Sequence, residues 1–234
     1  MFERPHHRRI ARVLSALNAD LLREANCLFG GGTAMALRFG EYRESVDMDF
    51  LVSNLESYRL LRQRLTGDEG FSGLLRPDGE RFRLAREIRA DQYGIRTALL
   101  LDESLIKFEI VLEARIQIEA ATGKDKVCGI STLTLLDMAT SKLLANADRW
   151  SDDGVFSRDV IDLAMMSPTL PLLRKAVQKA QGAYGPAVTR DLERAIERLQ
   201  HRQDWLERCM QVMGMTLPKA VLWSKIRALR RVLD

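Results

Sequence analysis

Cys27-Leu28-Phe29-Gly30-Gly31-Gly32-Thr33, then a short apolar interval, then Arg43-Glu44-Ser45-Val46-Asp47-Met48-Asp49-Phe50-Leu51-Val52 is the stretch on which the reading of this chain turns. The order is short apolar run, glycine cluster, short helix, turn and alternating segment, which predicts strand, loop, helix, strand. Three glycines between a strand and a helix let backbone N–H groups approach a ligand, and the positive end of the helix dipole faces whatever sits there. Phosphate suits such a corner, although a glycine cluster alone is equally a tight turn. In a strand over Val46–Leu51 side chains alternate, so Asp47 and Asp49 project together while Val46, Met48 and Phe50 face the core. Two carboxylates held that close repel unless a cation neutralises them, which points to a divalent metal site; the plainer alternative is two solvated acids on an exposed strand face. Hard oxygen donors without a nearby histidine or cysteine favour Mg²⁺ or Mn²⁺ over zinc.

Outward from this stretch, apolar spacing predicts a helix over the first twenty-five residues, carried by Ile10, Val13, Leu14, Leu17 and Leu21, and a second over 55–66. A polar, glycine-bearing segment around Pro77–Glu80 precedes two strands, Gly94–Leu101 and Ser104–Glu113, joined by the two-residue step Asp102-Glu103 that suggests a hairpin. In the second of them Phe108, Ile110 and Leu112 face the core and Lys107 and Glu109 the other side. Glu109 is therefore either a third metal ligand or the cross-strand partner of an arginine or lysine. After one short strand near Lys126–Cys128 the pattern turns helical. Ser131 is the expected N-cap of a helix reaching Trp150, and further helices are expected near Ser157, Pro168, Pro186 and Pro218, the third continuing through Leu206, Met210 and Met213. The architecture expected is α+β: a mixed sheet with flanking helices over residues 1–120 and a helical bundle over 121–234.

The helical half offers its own polar set. Lys142 and Arg149 lie seven residues apart on one helix face with Ala145 and Asn146 between them, either leaving room for a ligand such as a triphosphate or forming an ordinary exposed basic face. Asp159 and Asp162, one turn apart, either orient those cations, accept a proton, or simply favour the helix start. Near the end, Lys219, Lys225, Arg227, Arg230 and Arg231 accompany the stripe Leu222, Ile226, Leu229 and Leu233. That basic amphipathic helix is either a solvated outer face or an RNA phosphate contact.

Composition narrows the classes. At 46% hydrophobic and 29% charged the 234 residues have enough apolar material for a core, which argues against disorder. No apolar run approaches the roughly 18 residues of a membrane span, and the first thirty residues carry charge where a signal peptide is apolar, so no membrane association and a cytoplasmic location are expected. Cys27, Cys128 and Cys209 are an odd number in no disulfide or redox spacing and are expected to be buried free thiols. With only His6, His7 and His201 besides, no zinc spacing exists. A net charge of +4 admits an acidic partner without demanding one.

Gly31-Gly32-Thr33 followed by Arg43-x-Ser45-x-Asp47-x-Asp49-Phe50 resembles the AbiEii/AbiGii toxin family of the nucleotidyltransferase superfamily, and Lys142 with Arg158-Asp159-Val160-Ile161-Asp162 resembles the family's lysine and Arg-Asp-x-x-Asp elements. The resemblance implies a nucleotidyltransferase-like sheet domain and a helical domain completing the cleft. It implies NTP and Mg²⁺ or Mn²⁺ as substrate and cofactor, with Asp47, Asp49, Lys142 and Asp159 catalytic, Asp47, Asp49 and Glu109 on the metal, and Gly31, Gly32, Thr33, Arg43 and Ser45 on the nucleotide. It further implies a toxin of a toxin–antitoxin or phage-defence system, with RNA or tRNA ends among the acceptors and an antitoxin as cognate partner. The residues themselves leave two rivals standing: a metal-dependent phosphoesterase or nuclease, and a catalytically inactive binding module of the same fold.

Overall fold

A computed structural model describes residues 2–233. The chain forms two compact units: residues up to Arg38 together with Ser45–Thr134, and Phe39–Glu44 together with Leu135 onward.

The first unit opens on α1 (Pro5–Ala16) and α2 (Ala19–Glu24). These replace the single helix expected over the first twenty-five residues. Asn18 divides them: its backbone is extended, its side chain accepts from Leu21 N–H, and its own N–H donates to Leu74 O at 2.8 Å. An N-cap asparagine offers the chain a local bond that competes with continuing the helix. β1 (Leu28–Gly30), α3 (Gly31–Arg38), β2 (Met48–Val52) and α4 (Leu55–Thr66) follow, then β3 (Arg83–Ala90), β4 (Gly94–Leu101) and β5 (Ser104–Leu112). The sheet order is β1-β2-β5-β4-β3; only the β2–β5 pair is parallel.

Alternation positions the core as expected along β2 and β5: Met48, Phe50, Val52, Ile106, Phe108 and Ile110 are all buried. The rings of Phe29, Phe50 and Phe108 follow one another in tilted contact at 5.3 Å between centroids, and Phe71 meets Phe108 edge-on at 5.1 Å. Each such buried ring contributes about 2–3 kcal/mol through area removed from water. Val46 departs from the expected pattern. It precedes the strand, is 44% exposed, and gives its carbonyl to His6 Nε2 rather than its side chain to the core. The hairpin at Asp102-Glu103 forms with φ of 46° and 62°, the left-handed pair that a two-residue turn between twisted strands requires.

β3 carries no apolar alternation and its residues are exposed or half-buried, because an edge strand can be held by backbone pairing with little side-chain burial. It was not among the expected strands. β6 (Lys126–Val127) and β7 (Ile130–Ser131) form a small ribbon that stays with this unit, since Thr132 N–H donates to Asp125 O and Leu133 N–H to Phe29 O. Ser131 is thus a strand residue rather than a helix cap. Cys27 and Cys209 are buried free thiols, whereas Cys128 is exposed in the ribbon's turn.

The second unit is helical: α5 (Leu135–Arg149), α6 (Arg158–Met166), α7 (Leu170–Tyr184), α8 (Ala187–His201), α9 (Trp205–Val212) and α10 (Lys219–Ala228). α5 packs against α6, α7 and α8, and α10 against α6. The expected continuous helix past Pro186 breaks at Asp204, whose φ is 54°. Trp205 explains the break: it is buried, donates from Nε1 to Ser157 Oγ at 3.0 Å, stacks on Phe156, and carries Arg202 over its ring at 4.1 Å. Anchoring that large side chain outweighs the bond or two lost at the break. Leu222, Ile226 and Leu229 form the buried stripe of the C-terminal segment. No helix among the described residues is long and apolar enough to cross a membrane.

Candidate active site

The glycine corner is built as the sequence predicts, at the junction of β1 and α3. Gly31 begins the helix with φ +65°, and a Cβ there would stand 2.9 Å from Cβ and Cγ of Asp49 and closer still to its Oδ2. Asp49 therefore rests directly against the corner, and only a glycine leaves room for it. Gly31→Ala combines a left-handed alanine with that overlap and should cost about 2 kcal/mol or more. For a chain of this length the unfolding temperature in a thermal melt should fall by roughly 4–8 °C.

Asp49 pairs in register with Gly30 on one side and Glu109 on the other. Asp47 lies just ahead of β2, its side chain 41% exposed, with its Oδ1 4.0 Å from Lys107 Nζ. Lys107 and Glu109 are two residues apart on β5 and share a face, so the acids at 47 and 49 address the same side of the sheet. Glu109 takes one of the two places the sequence allows it: it accepts from Arg96 Nε at 2.6 Å, across to β4. Among the described residues no three histidine, cysteine or acidic side chains stand together closely enough to hold a metal ion.

Thr33 is 1% exposed and its hydroxyl donates to Ser45 Oγ at 2.8 Å, while Ser45 N–H donates to His7 Nε2 at 3.2 Å. With His6 bonded to Val46 O, three side chains, Thr33, His7 and His6, hold the segment that leads into Asp47. Sequence reasoning missed both histidines. His7 falls on the apolar stripe of α1 with Ile10 and Leu14, and a buried polar residue on such a stripe was the signal that could have found it.

The helical unit holds the other predicted residues in a buried ionic cluster. Lys142 Nζ lies 2.7 Å from Asp162 Oδ2 and 3.1 Å from Asp159 Oδ1. Arg149 grips Asp159 through Nε at 2.7 Å and Nη2 at 3.0 Å. Arg43 forms the matching fork on Asp162, Nε at 2.6 Å and Nη2 at 2.9 Å, and Tyr42 donates its hydroxyl to the same carboxylate at 2.6 Å. The space expected between Lys142 and Arg149 is thus filled by Asp159, and Lys142 is buried rather than part of an exposed basic face. Arg43, expected on the nucleotide, has its fork committed to Asp162.

Three cations against two carboxylates leave the cluster one positive charge in excess, with Arg149 its most exposed member. Burial alone would raise the carboxyl of Asp162, but Arg43 and then Lys142 pull it far below the usual carboxylate range. Asp159 is likewise raised by burial and more than offset by Lys142 and Arg149. A carboxylate so strongly held as the anion is a poor proton acceptor, which favours orientation over acid–base work for Asp159.

Two solved structures from Helicobacter pylori share the fold: a protein described as a candidate nucleotidyltransferase, 14% identical with a TM-score of 0.53, covering 97% of this chain and 94% of its own, and JHP933, 13% identical with a TM-score of 0.53, covering 97% and 91%. No curated protein matches. A family model described as the nucleotidyl transferase AbiEii toxin of type IV toxin–antitoxin systems matches residues 12–232, nearly the whole length. The chain belongs to that AbiEii nucleotidyltransferase toxin family.

Proposed function

We propose that the chain transfers a nucleoside monophosphate from an NTP to an acceptor hydroxyl of RNA or protein. The acceptor oxygen attacks the α-phosphorus, the bond to the bridging α–β oxygen breaks, pyrophosphate leaves and the proton of the hydroxyl passes to solvent water. The observation that carries this reading is the seating of Asp49 against Gly31, which places an acid at the start of a glycine-opened helix suited to phosphate.

The donor chemistry fits a hard cation, because Asp47 and Asp49 offer only oxygens on one side of the sheet and Glu109 stands in register beside Asp49. Asp47 and Asp49 would hold Mg²⁺ or Mn²⁺, and Glu109 would join them by exchanging its Arg96 partner for the ion. Such an ion, when bound, supplies charge neutralisation on the phosphate oxygens and on the leaving pyrophosphate. Backbone amides of Gly31 and Gly32 orient the nucleotide's phosphates, while Thr33 and Ser45 keep the approach to Asp47 in place. Within the helical unit Lys142 and Asp159 are the residues proposed as catalytic, Asp159 fixing Lys142 and Arg149 and Arg43 fixing Asp162. In the cell the protein would act as a cytoplasmic toxin restrained by a cognate antitoxin.

The pairing of Glu109 with Arg96 favours a second reading, a module that keeps the fold and binds without catalysis. Incubation with each NTP labelled at the α-phosphate, in Mg²⁺ or Mn²⁺, with total RNA and protein separates the readings. Label on RNA or protein together with free pyrophosphate is the expected result. RNA cleavage without label transfer identifies a phosphoesterase, and no transfer from any NTP by folded protein leaves the binding module.

A further inference from the structure

Arg83, Arg86 and Arg89 stand three residues apart on β3, a spacing that puts neighbours on opposite faces of a regular strand. Two register shifts, one between Leu84 and Arg86 and one between Arg86 and Arg89, change this: Arg83 pairs with Leu100, Arg86 with Ala98 and Arg89 with Arg96. The three β4 partners are two residues apart and share a face, so all three arginines lie on it. Bulges re-aim side chains in this way, and two in one short strand align a cation row that sequence spacing would scatter.

The same register runs on across the sheet. Arg96 pairs with Glu109 and Ala98 with Lys107, and Glu109 pairs with Asp49. One row therefore reads Arg89, Arg96, Glu109, Asp49 over four strands, and the next ends at Lys107, within reach of Asp47. Arg86, Arg89, Arg96 and Lys107 line a single hollow of about 590 Å³. Arg96 is balanced by Glu109 and Asp91, and Glu87 borders the same hollow. Arg83, Arg86 and Arg89 are exposed and form no ion pair among the described residues. The turn from β3 to β4 adds Tyr93, 65% exposed. An unpaired cation row flanked by a solvent-facing aromatic is the pattern that holds a single-stranded nucleic acid, charges on phosphates and ring under a base; an acidic peptide would use the charges but not the ring.

We propose that this face binds a single phosphodiester strand through Arg83, Arg86 and Arg89, with Tyr93 as a stacking surface, and leads the strand's terminal hydroxyl along β4 and β5 toward Asp47 and Asp49. The destination of that hydroxyl rests on the nucleotidyl-transfer reading; the binding does not. Fluorescence anisotropy with a labelled single-stranded RNA, across a salt series, tests it on wild type, on the triple substitution R83S/R86S/R89S and on R227S/R230S/R231S, which removes equal charge from the basic C-terminal segment. Circular dichroism confirms that each variant is folded.

The β3 triple should bind RNA at least 10-fold more weakly, with the log–log salt slope shallower by about 2, as expected for three lost phosphate contacts on a single strand. The C-terminal triple should keep both. In the transfer assay the β3 triple should raise KM for RNA by the same factor while leaving kcat at saturating RNA and KM for NTP unchanged. Wild type that fails to bind RNA, equal loss in the C-terminal triple, an unchanged salt slope in the β3 triple, or displacement of RNA by polyglutamate at matched charge would each overturn the proposal. RNA bound through β3 without label transfer from any NTP would sink the transfer reading alone. Transfer to RNA that ignores the β3 substitutions would sink the strand track alone.

Discussion

Asp49→Asn should abolish nucleotidyl transfer, lowering kcat by about 10³-fold or more while leaving the fold in place. Asparagine keeps the size of the side chain and so preserves the contact with the Gly31 corner, but it removes the negative charge that the proposed cation requires. Stabilisation aimed at charge that develops in the transition state is lost from kcat rather than from nucleotide binding. The measurement is single-turnover transfer of α-labelled NTP, beside a thermal melt to show that the variant is folded. Transfer within about 10-fold of wild type would remove Asp49 from the chemistry, and with it the reading built on the corner. Asp47→Asn tests the same idea from the position just ahead of β2, where the ion pair with Lys107 at 4.0 Å is too long and too solvated to give a structural role much weight.

Asp162→Ala should be the most destabilising single substitution in the helical unit, at about 3–5 kcal/mol, because it strips the buried fork of Arg43 of its partner and leaves Lys142 with Asp159 alone. That is a large part of the roughly 5–15 kcal/mol by which domains are stable. Trp150, Trp205 and Trp223, all in this unit, make urea unfolding followed by tryptophan fluorescence a local report of it. A loss below about 1 kcal/mol would mean that the cluster contributes no more than a surface pair.

The same carboxylate sets an acid limit. Its folded value is depressed below that of the unfolded chain, so in acid the unfolded chain binds the extra proton and stability falls as pH falls. The stabilisation is fully present above the unfolded carboxylate value of about 4 and drains away below it. Asp159, shifted in the same direction, adds to the slope. Urea midpoints recorded from neutral pH down to acid should therefore drop steeply in wild type below about pH 4 and more gently in Asp162→Asn.

What the sequence determined by itself was local and periodic. Met48, Phe50, Ile106, Phe108 and Ile110 announce two strands by alternation, and the same alternation sends Asp49 and Glu109 to the opposite face; Gly31 and the Asp102-Glu103 turn carry their backbone requirement in the residues themselves. Asp162 was visible as an acid one turn beyond Asp159, but its role was not, because its partners Tyr42 and Arg43 lie some 120 residues away and only folding brings them together. Tertiary structure also decided where helices end: Asn18 and the buried Trp205 interrupt stripes that read as continuous. It decided that Glu109 meets Arg96, since that contact depends on the β4–β5 register, and it decided β3 altogether. An edge strand is held by backbone bonds that ask little of side-chain pattern, and bulges cancel the two-residue period, so three arginines that look scattered along the chain stand in one row on the sheet.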